Sequence, residues 1–146
     1  MDSLFQGWQT EESVSDPSPK DYKICGYNLL VRPMVPSKKV GNIVLPDAFQ
    51  ADIAYLSNVG KVIAMAPLAY FYPNPELYGK NPYGKYGEPW CKVGDFVVWG
   101  KNQGVKLKIN GVVCVLLADE LVLLNISNPS IISPQANLSR EHQDGT

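Results

Sequence analysis

The sequence is poor in the residues that catalysis and metal binding draw on most. It has one histidine and three cysteines in 146 residues. The histidine, His142, has only Glu141 and Asp144 nearby and no partner at triad or metal-ligand spacing, so it reads as a solvated polar residue. Cys25, Cys91 and Cys114 are odd in number and far apart. They match no zinc spacing and suggest reduced thiols in a cytoplasm. No Ser-His-Asp set, paired carboxylates or phosphate-cradling glycine loop is recognisable. The expectation is a protein that is not an enzyme, with no catalytic residue, no metal and no cofactor of its own. An excess of one charge is also missing: 13 Lys and Arg face 14 Asp and Glu, a formal net charge of -1. Nothing therefore favours nucleic acid or an anionic membrane as partner. No apolar run approaches the roughly 20 residues of a membrane helix. The acidic, polar first residues do not read as a signal peptide.

Glycine and proline are plentiful at 12 each, which suits a strand-and-loop protein. Residues 1–22 are rich in Ser, Asp, Glu and Pro and predict a disordered N-terminal tail. Residues 23–126 form the expected domain, and residues 127–146 a polar, Pro-interrupted C-terminal tail. Strands are predicted at 24–31, 59–66, 96–99, 105–109, 112–117 and 121–126, with no convincing helix. Val105 to Ile109 alternates apolar residues with lysine, a half-buried strand with one wet face. Asn110-Gly111 is the strongest short-range hairpin signal and predicts a type I′ turn. Such a pattern describes an all-β barrel or sandwich.

Two connections are long. The first, about residues 36–58, contains Gly41-Asn42-Ile43-Val44-Leu45-Pro46. Gly41-Asn42 is turn chemistry, and Pro46 biases Leu45 towards an extended conformation. Ile43, Val44 and Leu45 are thus either a short extended tripeptide presented by the loop or a buried edge strand. The second, residues 67–89, carries Tyr70, Phe71, Tyr72, Tyr78, Tyr83 and Tyr86 among Pro67, Pro73, Pro75, Pro82 and Pro89, which argue against a regular helix. Its aromatics are costly to leave exposed, so it is expected to pack on itself or on a neighbouring subunit. Aromatics interleaved with Lys80 and Lys85 can also stack single-stranded nucleic acid, but the near-neutral chain argues against it.

Four motifs in order give these elements a family resemblance. They are Tyr27-Asn28-Leu29-Leu30-Val31-Arg32-Pro33, then Gly41 to Pro46, then Val59-Gly60-Lys61-Val62-Ile63-Ala64. The fourth runs from Lys92-Val93-Gly94-Asp95 through Trp99-Gly100, Gly104-Val105-Lys106 and Asn110-Gly111 to Leu121-Val122-Leu123-Leu124. Residues 26–126 resemble the chaperonin-10 (GroES-type) co-chaperonins. The resemblance implies a small β-barrel with a mobile loop (about 36–58) and a roof loop (about 67–89). It implies a homo-oligomeric, heptameric ring that caps a GroEL-type chaperonin in which a client protein folds, with ATP used by that partner. The chaperonin-binding residues would be Gly41, Asn42, Ile43, Val44, Leu45 and Pro46. Tyr70, Phe71, Tyr72, Tyr78, Tyr83 and Tyr86 would face the roof, the cavity or a neighbouring subunit. Tyr27, Leu29, Val31, Leu121 and Leu123 would lie at the subunit contact. The roof and tails are longer than the family's usual ones, as expected of a bacteriophage-encoded member working in a host bacterial cytoplasm. Two other readings remain. Medium-chain alcohol dehydrogenases share a related barrel, but the chain has room for neither their zinc ligands nor their dinucleotide domain. A viral structural or adaptor protein could reuse the ring without binding a chaperonin.

Overall fold

The computed structural model describes residues 8–10, 15–36, 39–40, 43–44 and 57–131. Nine strands carry the architecture: β1 (Trp8–Thr10), β2 (Asn28–Pro36), β3 (Lys39–Val40), β4 (Ile43–Val44), β5 (Val59–Met65), β6 (Phe96–Trp99), β7 (Val105–Ile109), β8 (Val112–Ala118) and β9 (Val122–Ile126). Six of them form one sheet in the order β7-β8-β2-β5-β6-β9, with every ladder antiparallel. β1 joins this sheet only through β2, and β3 and β4 form a ladder of their own. The fold is all-β, as the turn-separated apolar runs predict.

The local chemistry explains the strand ends. β7 and β8 are joined at Asn110 (φ 51°) and Gly111 (φ 82°), the two positive φ angles that a type I′ turn requires. β2 runs beyond the expected stop at Arg32-Pro33 as far as Pro36, and Pro33 stands opposite Gly60 of β5. The backbones approach closely there. A Cβ on Gly60 would come within 2.6 Å of Val31 Cγ1 and 2.7 Å of the Arg32 carbonyl oxygen.

Alternation sorts the side chains into two apolar layers. Leu29 and Val31 of β2, Val62 of β5, Val97 and Trp99 of β6, Val115 and Leu117 of β8 and Val122 of β9 form the inner core, together with Ala69, Tyr70 and Cys91. Leu30, Val112 and Cys114 form a second, outer cluster, with Ile63, Ala64, Ile109 and Leu116 packed against it. β8 is therefore buried on both faces. The predicted alternation of β7 is present, but its apolar side meets the outer layer: Leu107 pairs with Cys114 and Ile109 with Val112. The lysines pair with inward residues, Lys106 with Val115 and Lys108 with Val113, so the wet face of β7 continues the core side of β8.

The outer layer has a cover, and this corrects the expectation of a disordered tail up to residue 22. Tyr22 and Ile24 are half-buried against the outer cluster, and Pro17 is buried. Arg32, only 3% exposed, receives the Asp16 carboxylate at 2.7 Å. Asn110 donates its side-chain amide to Asp21 at 2.9 Å. β1 pairs Trp8 with Pro36 and Thr10 with Met34. Of the C-terminal tail, a 3-10 turn at Pro129–Ile131 is described, and residues 132–146, His142 included, lie outside the described residues.

Candidate functional site

Two surfaces are built by the long connections. The first leaves the sheet at the end of β2 and returns at Ser57. On the return limb, Ser57 and Asn58 are buried, the Asn58 amide donates to the Trp99 carbonyl at 2.7 Å, and the Trp99 N–H donates to the Asn58 carbonyl at 3.1 Å. Between the two limbs, Lys39 pairs with Val44 and Val40 with Ile43, leaving a two-residue connection, Gly41-Asn42. Two members of the apolar tripeptide, Ile43 and Val44, are thus backbone-paired in a minimal hairpin apart from the main sheet. Gly41, Asn42, Leu45, Pro46 and residues 47–56 lie outside the described residues.

The second connection, residues 67–89, folds down onto the sheet. Tyr70 adopts φ 62°, a left-handed conformation rare for a bulky residue, and its side chain is fully buried in the inner core. Asp119 fixes it: the Tyr70 N–H donates to Asp119 Oδ2 at 2.9 Å, and the Tyr70 hydroxyl donates to the Asp119 carbonyl at 2.8 Å. The Tyr86 hydroxyl donates to Asp119 Oδ1 at 2.9 Å. Tyr70, Tyr86 and Trp90 then stack as a triangle with centroids 5.2–5.5 Å apart. Further out, Asn81 accepts from the Tyr83 N–H and donates to the Gly87 carbonyl, both at 2.9 Å. The prolines do not exclude helix altogether: Pro75–Tyr78 makes a single helical turn capped by Asn74, with Pro75 where a missing N–H costs nothing. Gly84 sits at φ 53°, where a Cβ would overlap the Tyr72 carbonyl oxygen.

This geometry reassigns several expected site residues. Tyr70 does not face a cavity or a neighbour, because it plugs the chain's own core. Tyr86 and Tyr83 are half-buried, while Phe71, Tyr72 and Tyr78 are exposed and share the surface with Leu68 and Leu77. At the expected subunit contact, Leu29 and Val31 are 0% exposed in the inner core and present no side chain to a neighbour. Their inward parity on β2 puts them there. Leu121 is half-buried against the same core. Tyr27 and Leu123 are open to solvent, and Leu124, not among the expected contact residues, is exposed next to Leu123 in β9. Asp119 was also missed, since Ala118-Asp119-Glu120 reads only as a turn.

The electrostatics are those of a structural plug. Burial raises the Tyr70 phenol well above its ordinary value, and the Cys91 thiol 3.6 Å from its hydroxyl adds to this. Burial also raises Tyr86, helped by its hydrogen bond to Asp119. Cys91 is pushed up by burial, with the Tyr70 contact opposing, which keeps the thiol protonated and unreactive. Beside the plug lies an open cavity of about 240 Å³ lined by Tyr27, Asn28, Tyr72, Lys85, Asp119 and Glu120, among others. The Lys85 ammonium stands over the Tyr72 and Tyr86 rings at 5.1 and 5.0 Å, and 3.9 Å from Glu120. Among the described residues, no three His, Cys, Asp or Glu side chains gather as a metal site, and no helix is long and apolar enough to cross a membrane. Models of known protein families, scanned against the chain, give no match, and a search of curated proteins returns none.

Proposed function

We propose that this protein is a co-chaperonin: a ring-forming cap for an ATP-driven chaperonin, engaging it through Ile43, Val44 and Leu45. The observation that carries the reading is the position of this tripeptide. It lies in the connection between two paired central strands, β2 and β5, and its described part belongs to a small ladder outside the main sheet. The four motifs that resemble the chaperonin-10 family fall on β2, on that connection, on β5 and on the run from β6 to β9, in chain order. Exposed Leu123 and Leu124 at the β9 edge give neighbouring subunits an apolar contact in the ring.

The energetics suit a reversible contact. Burying three such side chains gains about 1.5–3 kcal/mol each. Fixing a loop costs about 1–2 kcal/mol per residue, so ordering half a dozen residues nearly cancels the gain. A single loop binds weakly, and several on one ring bind tightly through effective concentration. The deciding experiment is capture of a bacterial chaperonin in the presence of ATP or ADP, comparing the wild type with Ile43→Ser/Leu45→Ser. Nucleotide-dependent capture by the wild type alone supports the reading. No capture by a well-folded assembly overturns it, in favour of an adaptor that uses the exposed aromatics of residues 67–89.

A further inference from the structure

The cavity beside the Tyr70 plug has fixed walls. Asp119 accepts from the Tyr86 hydroxyl, and its own N–H donates to the Tyr27 carbonyl at 2.9 Å. The Tyr86 ring is braced edge-on by Tyr70 and Trp90. The Tyr72 N–H donates to the Pro82 carbonyl at 3.0 Å, and Gly84 lies against the Tyr72 carbonyl, so the two limbs of the 67–89 connection are clamped together. The Tyr72 and Tyr86 rings thereby converge on one point, which the Lys85 ammonium occupies at 5.1 and 5.0 Å from their centroids.

Charge in this cavity is unbalanced. Asp119 and Glu120 bring two carboxylates, and Lys85 brings one ammonium. Asp119 is 3% exposed, and among the described residues no cationic side chain pairs with it. Its carboxylate accepts only from neutral donors, the Tyr70 N–H and the Tyr86 hydroxyl. A buried carboxylate without a counter-charge is costly, so a cation brought beside it is favoured. Lys85 holds its place loosely. Its ammonium stands 3.9 Å from Glu120, beyond hydrogen-bond distance, and both side chains are open to water.

We propose that this cavity binds an organic cation, a guanidinium group on an apolar stem, and that Lys85 is the placeholder it displaces. A cation within about 6 Å of a tyrosine centroid is attracted by the face of the ring. Guanidinium suits the site better than ammonium, because it is less strongly hydrated, stacks flat on aromatic rings and presents a fork of donors to a carboxylate. The cavity, about 240 Å³, has room for the group and several methylenes. Lys85, already half in solvent, swings out as the ligand enters. Arginine carries such a group, either free or in a polypeptide. The inference rests on this cavity alone and does not require a chaperonin.

The test is an NMR titration of the full chain with N-butylguanidinium, observing the ring protons of Tyr72 and Tyr86, with neutral N-butylurea and sodium chloride as controls. The expected result is a saturable shift of both rings with butylguanidinium alone. Lys85→Met should tighten binding at least about threefold, while Glu120→Gln and Tyr72→Leu should each weaken it at least about threefold. Glu120 and Tyr72 are exposed and make no hydrogen bond to the plug through their side chains, so these variants keep the fold. No saturable shift, an equal response to butylurea or sodium, or an affinity that fails to move in these directions overturns the proposal. A second titration with the peptide acetyl-Gly-Arg-Gly-amide identifies the source of the cation. Binding at least about tenfold tighter than butylguanidinium assigns the site to the arginine of a polypeptide, and equal binding assigns it to a free organic cation.

Discussion

At the scale of residues, Asp119 ties the 67–89 connection to the sheet. Its two carboxylate oxygens take the Tyr70 N–H and the Tyr86 hydroxyl, its carbonyl takes the Tyr70 hydroxyl, and its own N–H donates to the Tyr27 carbonyl. Replacing it with alanine leaves two donors without their acceptor at a buried site. Asp119→Ala is expected to lower the unfolding free energy by about 2–5 kcal/mol, and Tyr86→Phe by about 1 kcal/mol, both measured by urea unfolding. Equal losses would mean that the Tyr70 N–H bond contributes nothing. Proton linkage gives a second prediction. Burial holds the Tyr70 and Tyr86 phenols above the ordinary value of about 10, so the folded chain binds these protons more tightly than the unfolded chain. Their contribution is complete below about pH 10 and is lost as the pH rises beyond it. A tyrosinate titration should show Tyr70 and Tyr86 ionising only as the fold is lost. Ionisation of both near pH 10 with the fold intact would contradict the plug. None of this was legible in the sequence, where Asp119 is one acidic residue in a turn and Tyr70 one aromatic among many. What singles out Tyr70 is a positive φ and a partner 49 residues away, and neither leaves a local signal.

At the scale of elements the sequence was far more informative. The runs at 59–66, 96–99, 105–109, 112–117 and 121–126 correspond to β5 through β9 because each is short, apolar and bounded by turn residues. Asn110-Gly111 was readable because only a few residue types tolerate the turn it makes. The first strand, expected at 24–31, was begun four residues early and ended too soon, because Pro33 looked like a stop, whereas a strand accepts proline where its N–H is not needed. The polarity of β7 was hidden for a deeper reason. Alternation shows that one face is wet but not on which side of the sheet that face lies, and here the register with β8 turns the lysines to the core side. The segment before β2 was misjudged on composition: Ser, Pro and acidic residues dominate it, while Asp16, Pro17, Tyr22 and Ile24 do the docking. Gly60 sits where β5 and β2 approach closely. Gly60→Ala should cost about 1–3 kcal/mol of stability in chemical denaturation, because Val31 and the Arg32 backbone of β2 and Trp99 of β6 all stand in the way of a methyl. A change within about 0.5 kcal/mol would show that the β2–β5 pairing opens there without strain.

At the scale of the whole molecule, the sheet ends in two edges, β7 and β9, each carrying exposed apolar residues: Val105 on one, Leu123 and Leu124 on the other. Exposed edges of this kind invite pairing with further chains. Leu123→Asp should therefore shift an assembled population towards monomer in sedimentation velocity, with little change in the monomer's own stability, since this side chain is 69% exposed. Unaltered assembly would move the contact to the β7 edge or to the exposed aromatics of residues 67–89. Under the proposed co-chaperonin reading the loss would reach beyond assembly, because a weak apolar finger would depend on being repeated around a ring.

The two-sided burial of β8 also orders events in time. Tyr22 and Ile24 leave the ribosome early, yet their seat includes Val112 and Cys114, about 90 residues later in the chain. At roughly 5–20 residues per second, this earlier segment waits some 5–20 seconds for the surface it covers. Until then neither apolar layer of the sheet can close, so β8 completes a core that Leu29, Val31, Val62 and Tyr70 have waited to share.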